Sequence, residues 1–492
     1  MNTKKKIVSG LLAAAFAVSL SPSVTFADHW ANLDQQTLKI SEKFVAKYAG
    51  YDLEKRMKMN DRISELVLKL SQSKGNSATK IKDSKWKEIS ATKSQRDRLV
   101  NALTYIDIEL DNFDMTVNSG QSAAVDLNVT LQSLLKEHVN LSLNVLRSAY
   151  DGNAELGASL KELDDNTADL GATIGSVYGA EAEARFLEIW RAHIGFFADQ
   201  TTGLKTNDDE IVAKAERDLV QYQDDISDFF SGAIPLVMKE TIVAGSGVHA
   251  KLLGDSMKAY DKGDYAEAYR LQAEADTQIE WVADLLSKGI VAQFPAKFST
   301  YNVEDQSKAL TSKAAVLRLE LNDLLREHVN VSLNVLRNAY SGTEDFDESL
   351  AALDVNTVEL AATVGSVYGA DAEAAFLKIW RDHIGFFAQH TTGLATDDAE
   401  LTALGIANLK DYQQSIGDFF SGAVPFIMKS TVVAGSGEHA RLLLESMEAF
   451  DKGDYATAYE LQTQADEQIS GIANLLAMGI TMQFPEKFAE TK

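Results

Sequence analysis

Beyond residue 120, apolar residues recur along most of the chain at spacings of three and four, the period of one face of an α-helix. The predicted helices cover about residues 123–149, 158–178 and 180–200, with a fourth capped by Thr206-Asn207-Asp208 that ends near Gly232. Breaks between them fall at Asp151-Gly152 and Gly179. This pattern is typical of a helical bundle.

Shorter helices are predicted after Gly232. Pro235 is expected to open a short helix, and Gly245-Ser246-Gly247 to break it. A final helical hairpin is predicted to turn at residues 261–264, where Gly263 supplies a left-handed helix end and Asp264 caps the next helix.

The chain also matches itself at a constant offset of 190 residues without insertion. EHVNLSLNVLRSAY from Glu137 pairs with EHVNVSLNVLRNAY from Glu327, and IWRAHIGFF pairs with IWRDHIGFF. A gapless period of this length indicates duplicated domains rather than a short-repeat solenoid. We therefore predict an all-α protein with two tandem four-helix-bundle-like domains, repeat 1 (122–298) and repeat 2 (312–488), preceded by a helical segment over 28–121.

Residues 1–27 have the pattern of a secretory signal peptide. Three lysines precede a short apolar run, and Thr25-Phe26-Ala27 offers a cleavage site before Asp28. The apolar run is shorter than the ~20 residues that span a bilayer, and no later stretch is expected to be long and uncharged enough. The chain has no cysteine, so neither a lipid-bearing thiol nor a disulfide is expected. We predict a secreted protein that could be retained at the cell wall or surface.

Charge is unevenly distributed along the chain, whose net charge is −25. Residues 31–130 contain 16 Lys and Arg against 14 Asp and Glu, whereas residues 131–492 contain 28 against 57. Acidic repeats are unsuited to nucleic acid, because phosphate binding needs a basic face. The basic stretch SKWKEISATKSQRDR could contact an anionic cell-wall polymer, or it could be a solvated helix face. Self-association through the acidic bundles stays an open alternative, although it has no signature in the sequence.

Histidine is the residue type most suggestive of chemistry in the repeats. Six histidines form three equivalent pairs: His138 and His328, His193 and His383, His249 and His439. Helical periodicity places each on an apolar face, so each repeat could direct one imidazole inward from each of three helices.

Three imidazoles converging in a bundle core can hold a transition metal. Copper is the first choice, while imidazole suits zinc and iron as well. Glu137 and Glu327 are the first candidates for a further ligand. Other candidates present in both repeats are Asp164 and Asp354, Asp228 and Asp418, and Met238 and Met428.

The alternative is that these histidines are ordinary core residues. The Glu-x-x-His pairs of di-iron bundles are missing. Neighbouring helix positions diverge by ~100°, so Glu137 is expected at the surface if His138 is buried. Trp190 is expected in the core, and His390, which replaces Gln200 of repeat 1, at the surface.

Familiar catalytic signatures are absent from the sequence. It contains no G-x-S-x-G, H-E-x-x-H or G-x-x-x-x-G-K motif and no cysteine nucleophile. Hydrolase chemistry is therefore disfavoured, and a non-enzymatic protein is the simpler expectation.

The EHVxxSLxVLR, GSVYG, WRxHIGFF and QFPxKF segments resemble those of exported helical-bundle repeat proteins of spore-forming Gram-positive bacteria, a family often labelled copper amine oxidase-like. The resemblance covers both repeats. It implies a secreted or surface protein with a copper association. It does not imply amine oxidase activity, because the β-rich domain behind the label has no counterpart here.

Two hypotheses follow from the sequence. Each repeat could bind one metal ion through its three histidines, or the chain could be a structural or adhesive protein of the cell surface or extracellular matrix without metal. The discriminating geometry is whether the three imidazoles of one repeat can each place a nitrogen ~2 Å from a common point.

Overall fold

The computed structural model describes residues 120, 122–298 and 309–488, and these residues form helices joined by short turns, with no strand among them. The helices of repeat 1 are α1 (Ala123–Asp151), α2 (Leu156–Tyr178), α3 (Ala180–Thr206), α4 (Asp209–Ala233), α5 (Lys239–Asp261) and α6 (Tyr265–Gln293). Those of repeat 2 are α7 (Lys313–Ser341), α8 (Phe346–Tyr368), α9 (Ala370–Ala395), α10 (Ala399–Ala423), α11 (Lys429–Asp451) and α12 (Tyr455–Gln483), followed by the short α13 (Pro485–Phe488). The all-α prediction is confirmed for this part of the chain. The leader and almost all of segment 28–121 lie outside the described residues.

Apart from the C-terminal ends of α3 and α9, the long helices of the two repeats begin and end at the offset of 190 residues. Equivalent caps have the same local causes. Asp208 caps α4 by accepting hydrogen bonds from the backbone N–H groups of Glu210 and Ile211, at 3.0 and 3.2 Å. Asp398 does the same for α10. Gly263 ends the turn before α6 with φ of 72°, and Asp264 then caps that helix, as the sequence predicts.

Each repeat has six long helices rather than four with short additions. The prediction that Gly245-Ser246-Gly247 ends a helix is wrong, because α5 continues through it. Interior glycines cost a helix only ~1 kcal/mol each, which tertiary packing offsets. At Gly245 the missing side chain allows a close approach, since a Cβ there would lie 2.6 Å from the Trp281 ring. Pro235 lies in the turn before α5 and does not open a helix.

Helix α1 is the centre of repeat 1, and α7 is the centre of repeat 2. Helix α1 packs against α2, α3 and α6 of its own repeat and against α7 of the other. Its apolar side chains, such as Leu135, Val139 and Leu143, are almost completely buried. The hydrophobic core of repeat 1 also includes Ala315 and Leu319 of repeat 2, and Leu310 just before it, so the two repeats share apolar packing.

The contact between α1 and α7 is pseudo-symmetric. The Asn144 side-chain amide donates to the side-chain oxygen of Asn334 at 2.9 Å, and these residues are equivalent at the repeat offset. Lys136 lies 3.6 Å from Glu327, and the equivalent pair Arg326 and Glu137 is 4.0 Å apart. The repeats therefore meet like the subunits of a two-fold dimer, through the same patch on each.

Helix α8 is more apolar than we expect from the sequence pattern. Helix α8 has the length and mean hydropathy, 1.2, of a membrane span. A single such helix is weak evidence of a membrane segment, since core helices pass the same test. Helix α8 packs between α7 and α9. Its Asn356 donates to the backbone carbonyl of Leu324 in α7 at 2.9 Å.

Buried charges at the α1–α7 contact are unequal in number. The Lys136 ammonium contacts Asp323 and lies 2.9 Å from Glu280, and the Arg326 guanidinium contacts Asp466. Burial, assisted by the nearby Asp466 carboxylate and opposed by Arg326, raises the pKa of Glu137 to about 8. Glu137 therefore holds a proton far more readily than an exposed glutamate.

This proton makes stability depend on pH. The folded pKa of Glu137 lies above its unfolded value, so its stabilisation is complete below about pH 4.5 and is lost as pH rises towards 8. We expect Glu137→Gln, which keeps an acceptor for Asn166, to raise the free energy of unfolding at pH 8 by at least ~1.4 kcal/mol relative to its effect at pH 5. Urea denaturation at both pH values measures this. The exposed Glu181→Gln is the control and should behave alike at both. Equal destabilisation by Glu137→Gln at both pH values would mean that Glu137 is an ionised partner of Arg326.

Candidate metal centre

The six paired histidines all lie inside the cores of their repeats. In repeat 1, His138 comes from α1, His193 from α3 and His249 from α5, and their side chains are at most 8% exposed. Their equivalents in repeat 2 are at most 4% exposed: His328 on α7, His383 on α9 and His439 on α11. The structure thus brings three inward-facing imidazoles from three helices into each core.

Two of the three imidazoles face each other directly. The Nε2 atoms of His138 and His193 are 3.3 Å apart, and those of His328 and His383 are also 3.3 Å apart. The ring planes are inclined by 50° in the first pair and 47° in the second. Either one Nε2 is protonated and donates a hydrogen bond to the other, or both Nε2 atoms are unprotonated and direct their lone pairs at a common third atom.

The third imidazole stands further from the pair. In repeat 1, the His249 Nδ1 lies 3.2 Å from Gln278 Oε1, and its Nε2 is buried without a hydrogen-bond partner among the described residues. In repeat 2, neither nitrogen of His439 meets hydrogen-bond geometry with a described group. The ring centres of His439 and His328 are 6.3 Å apart.

Within residues 122–298 and 309–488, no group of three or more His, Asp or Glu side chains is close enough to hold a metal ion. In each repeat, two histidines therefore lie close to a point that one metal ion could occupy. The third histidine does not reach this point in this conformation.

The acidic candidates lie elsewhere. Glu137 and Glu327 turn away from the histidines towards the other repeat, as expected from the divergence of neighbouring helix positions. Glu137 accepts a hydrogen bond from the Asn166 side chain at 3.0 Å. The expectation that it is a surface residue is wrong, because the second repeat covers it and leaves it 8% exposed.

The other candidates are engaged or distant from the imidazoles. Asp164 and Asp354 pair with Arg191 and Arg381, and Asp228 and Asp418 pair with Lys239 and Lys429. All four carboxylates are solvent-exposed. Met238 is 68% exposed at the start of α5, and Met428 occupies the equivalent cap position of α11.

Aromatic rings enclose the histidine pair. His193 stacks on Tyr222 with ring centres 4.5 Å apart, and the Trp190 ring is 4.9 Å from His138 and 4.8 Å from His193. Trp190 is 6% exposed, which confirms the prediction that it belongs to the core. Periodicity could have placed Tyr222 on the inner face of α4, but not its stacking on an imidazole of another helix.

Burial keeps these imidazoles neutral. Desolvation, together with the neighbouring His249, lowers the pKa of His193 to about 3, and desolvation lowers the pKa of His249 to about 4. The pKa of His138 falls well below its usual range for the same reasons, with His193 as the nearest imidazole. Neutral imidazole is the form that binds metals.

Polar atoms around the pair have few good partners. The Nδ1 atoms of His138 and His193 and the indole Nε1 of Trp190 are buried outside strict hydrogen-bond geometry with any described group, while the Asn166 side chain lies beside His138 and the Trp190 backbone beside His193. Leaving a buried polar atom without a partner costs ~1–3 kcal/mol. The two imidazoles therefore have only weak partners at Nδ1, and the Trp190 indole has none among the described residues.

His390 is a seventh buried histidine, which the sequence placed wrongly at the surface. It is fully buried on α9, with its Nε2 3.8 Å from a carboxylate oxygen of Glu448. The backbone of α10 passes it closely at Gly405, where a Cβ would lie 2.7 Å from the His390 backbone nitrogen. Repeat 1 has Gln200 at this position, also buried, so glutamine fits the same environment.

Comparison with known proteins gives no relative for this chain: no protein-family model, no curated protein and no solved structure matches it.

The neutral state of the cluster predicts a characteristic titration. The folded pKa values of these histidines lie below the unfolded value of about 6.5, so their contribution to stability is present above pH 6.5 and is lost as pH falls towards 4 and 3. In NMR spectra of protein with labelled histidine rings, the six cluster imidazoles should remain neutral from pH 8 to pH 5. A cluster resonance that titrates near pH 6.5 would contradict this account of the core.

Proposed function

We propose that the protein is an exported metal-binding protein that holds one transition-metal ion, copper first, in the core of each helical repeat. The observation that carries this proposal is the 3.3 Å separation of the two facing Nε2 atoms, which recurs in both repeats. Imidazole nitrogens bind a tetrahedral ion at ~2.0–2.1 Å, and two such ligands are then ~3.3 Å apart. The pair has the spacing of two vertices of such a site.

The third histidine supplies the next ligand after a local movement. In repeat 1, His249 would give up its 3.2 Å contact with Gln278, whereas His439 in repeat 2 has no such contact to lose. The cost of assembling three ligands is therefore lower in repeat 2. Repeat 2 is the tighter of the two proposed sites.

Charge favours copper among the metals that imidazole suits. All candidate ligands in the core are neutral, and the acidic candidates lie outside it. A divalent ion would bring two uncompensated charges into an apolar, aromatic interior, and burial of unpaired charge is costly. Cuprous copper brings only one positive charge. Zinc and iron remain the alternatives, and each would need a carboxylate or other anion from outside the cluster.

Such a protein would store or carry metal rather than catalyse a reaction. The proposal agrees with the family that the sequence resembles, and both that family membership and export through residues 1–27 stay predictions. Retention at the cell wall through segment 28–121 also stays a prediction. Zinc-type hydrolysis is not part of the proposal, because within residues 122–298 and 309–488 no carboxylate lies beside the histidines to act as a base.

The alternative function is that of a structural or adhesive surface protein without metal. The observation that favours it is the pseudo-symmetric, partly charged contact between α1 and α7, which packs the two repeats against each other. In that case, the facing histidines share a hydrogen bond, and the aromatic rings around them only fill the core.

Metal loading distinguishes the two functions. Cuprous copper is supplied anaerobically in the presence of a competing chelator, and bound metal is counted by mass spectrometry. About two ions per chain are expected for the wild type. A His138→Ala, His328→Ala variant should bind none at the same chelator concentration, because each site loses one of its two facing ligands.

The control variant is His390→Gln, which removes a buried histidine outside the cluster and introduces the residue of repeat 1. It should retain about two ions. Circular dichroism and urea denaturation establish that each variant is folded. Wild-type protein that takes up neither copper, zinc nor iron would leave the structural function, and equal uptake by the double variant would place the metal elsewhere.

A further inference from the structure

The contact between the repeats contains a lysine that is surrounded by carboxylates. The Lys136 ammonium contacts Asp323 of α7 and lies 2.9 Å from Glu280 of α6. Glu327 of α7 is 3.6 Å away, and Asp276 of α6, which is 4% exposed, adds a fourth negative charge to the surroundings of the lysine. One ammonium therefore faces four carboxylates, and it can neutralise only one of them.

The pseudo-equivalent half of the contact has fewer carboxylates. Arg326 of α7 is the counterpart of Lys136. Its guanidinium contacts Asp466 of α12 and lies 4.0 Å from Glu137 of α1, so it faces two carboxylates. Three further carboxylates act on the two halves through their charge: Glu162 of α2, Glu359 of α8 and Glu467 of α12. The excess of negative charge is largest around Lys136.

Two positions cause the difference between the halves. At the repeat offset, Glu280 corresponds to Ser470 and Asp323 corresponds to Ser133. The other two acids around the lysine have acidic counterparts. Both serines fit the contact, since Ser133 is 8% exposed and the Ser470 hydroxyl donates to the Asn322 side-chain oxygen at 2.6 Å. The contact therefore does not need the two additional carboxylates in order to pack.

Burial makes this excess charge unfavourable while the repeats are in contact. Burial, assisted by neighbouring carboxylates and opposed by Lys136, raises the pKa of Glu280 to about 7 and that of Asp276 well above its usual range. In water, both pKa values return to about 4. Protons are therefore released when the contact opens. The stabilisation that they give to the closed contact is complete below about pH 4 and is lost as pH rises through 7.

We propose that the contact between the repeats is a proton-dependent device, which is closed at acidic and neutral pH and opens at alkaline pH while each bundle stays folded. Ionisation of the carboxylates around Lys136 leaves net negative charge between α1, α6 and α7, and the repeats move apart until water reaches it. Each repeat has an apolar core of its own that does not contain this charge, so its helices persist. The device goes beyond metal binding and does not need a metal.

The test measures the distance between two spin labels in the full, chelator-treated chain by pulsed electron spin resonance. Because the chain has no cysteine, Glu181→Cys and Asp371→Cys supply the only two thiols, at exposed and equivalent positions of α3 and α9. We expect one narrow distance distribution at pH 6 and a longer, broader one at pH 9. Far-UV circular dichroism should be the same at both pH values.

Two variants in the labelled chain test the role of the carboxylates. Glu280→Ser, Asp323→Ser installs the serines of the other half and leaves two carboxylates around Lys136, so opening should move to higher pH by at least ~1 unit. Lys136→Met removes the ammonium and should move opening to lower pH, because every carboxylate that ionises is then unpaired.

The matched control is Asp169→Ser, Asp199→Ser, which removes two exposed carboxylates of repeat 1 and should leave the pH of opening unchanged. A label distance that is the same at pH 6 and pH 9 in the wild type would overturn the proposal, as would a loss of helix in step with the distance change. An equal shift in the serine variant and the control would also overturn it, since overall charge would then be the cause. Metal is absent throughout, so this result and that of the copper experiment are independent.

Discussion

The packing of α1 against α7 is the interaction on which the rest of this structure depends. These two helices are the centre of their own repeats and also the contact between repeats, so most of their surface is buried. The inner face of each supplies the first histidine of its cluster. The opposite face carries Lys136, Glu137 and their equivalents into the partner repeat. One pair of helices thus sets the position of both proposed sites and of the buried charges.

Because α1 and α7 belong both to a bundle and to the contact between repeats, only part of their environment could be predicted from the sequence. The all-α class, the duplication, the caps at Asp208 and Asp264 and the inward direction of His138 follow from local periodicity and capping chemistry. Glu137 could not be placed by the same rules. Periodicity puts it outside its own bundle, which is correct, but only the contact with the second repeat makes that position buried.

The other differences have similar tertiary causes. Gly245 looked like a helix end and is instead a point where the Trp281 ring approaches the backbone. His390 looked exposed because repeat 1 has glutamine there, yet both residues are buried. The 3.3 Å pairing of imidazoles depends on the relative positions of α1 and α3, which no pattern within one helix contains.

The two histidine clusters place polar nitrogen atoms in an apolar, aromatic core. Such atoms are costly when unpaired, and a metal ion that binds them removes this cost. Duplication allows the two repeats to differ while keeping one framework. In repeat 1, Trp281 lies against Gly245 and His249 contacts Gln278, whereas in repeat 2 Ile472 lies against Gly435 and His439 has no hydrogen-bond partner among the described residues.

The most direct test of the central claim is X-ray absorption spectroscopy of the copper-loaded protein. The account predicts a first shell of two or three imidazole nitrogens at ~2.0 Å, with the outer-shell scattering typical of histidine rings and no sulfur. A first shell of oxygen alone, or one that contains sulfur from methionine, would contradict a site built on the facing histidines.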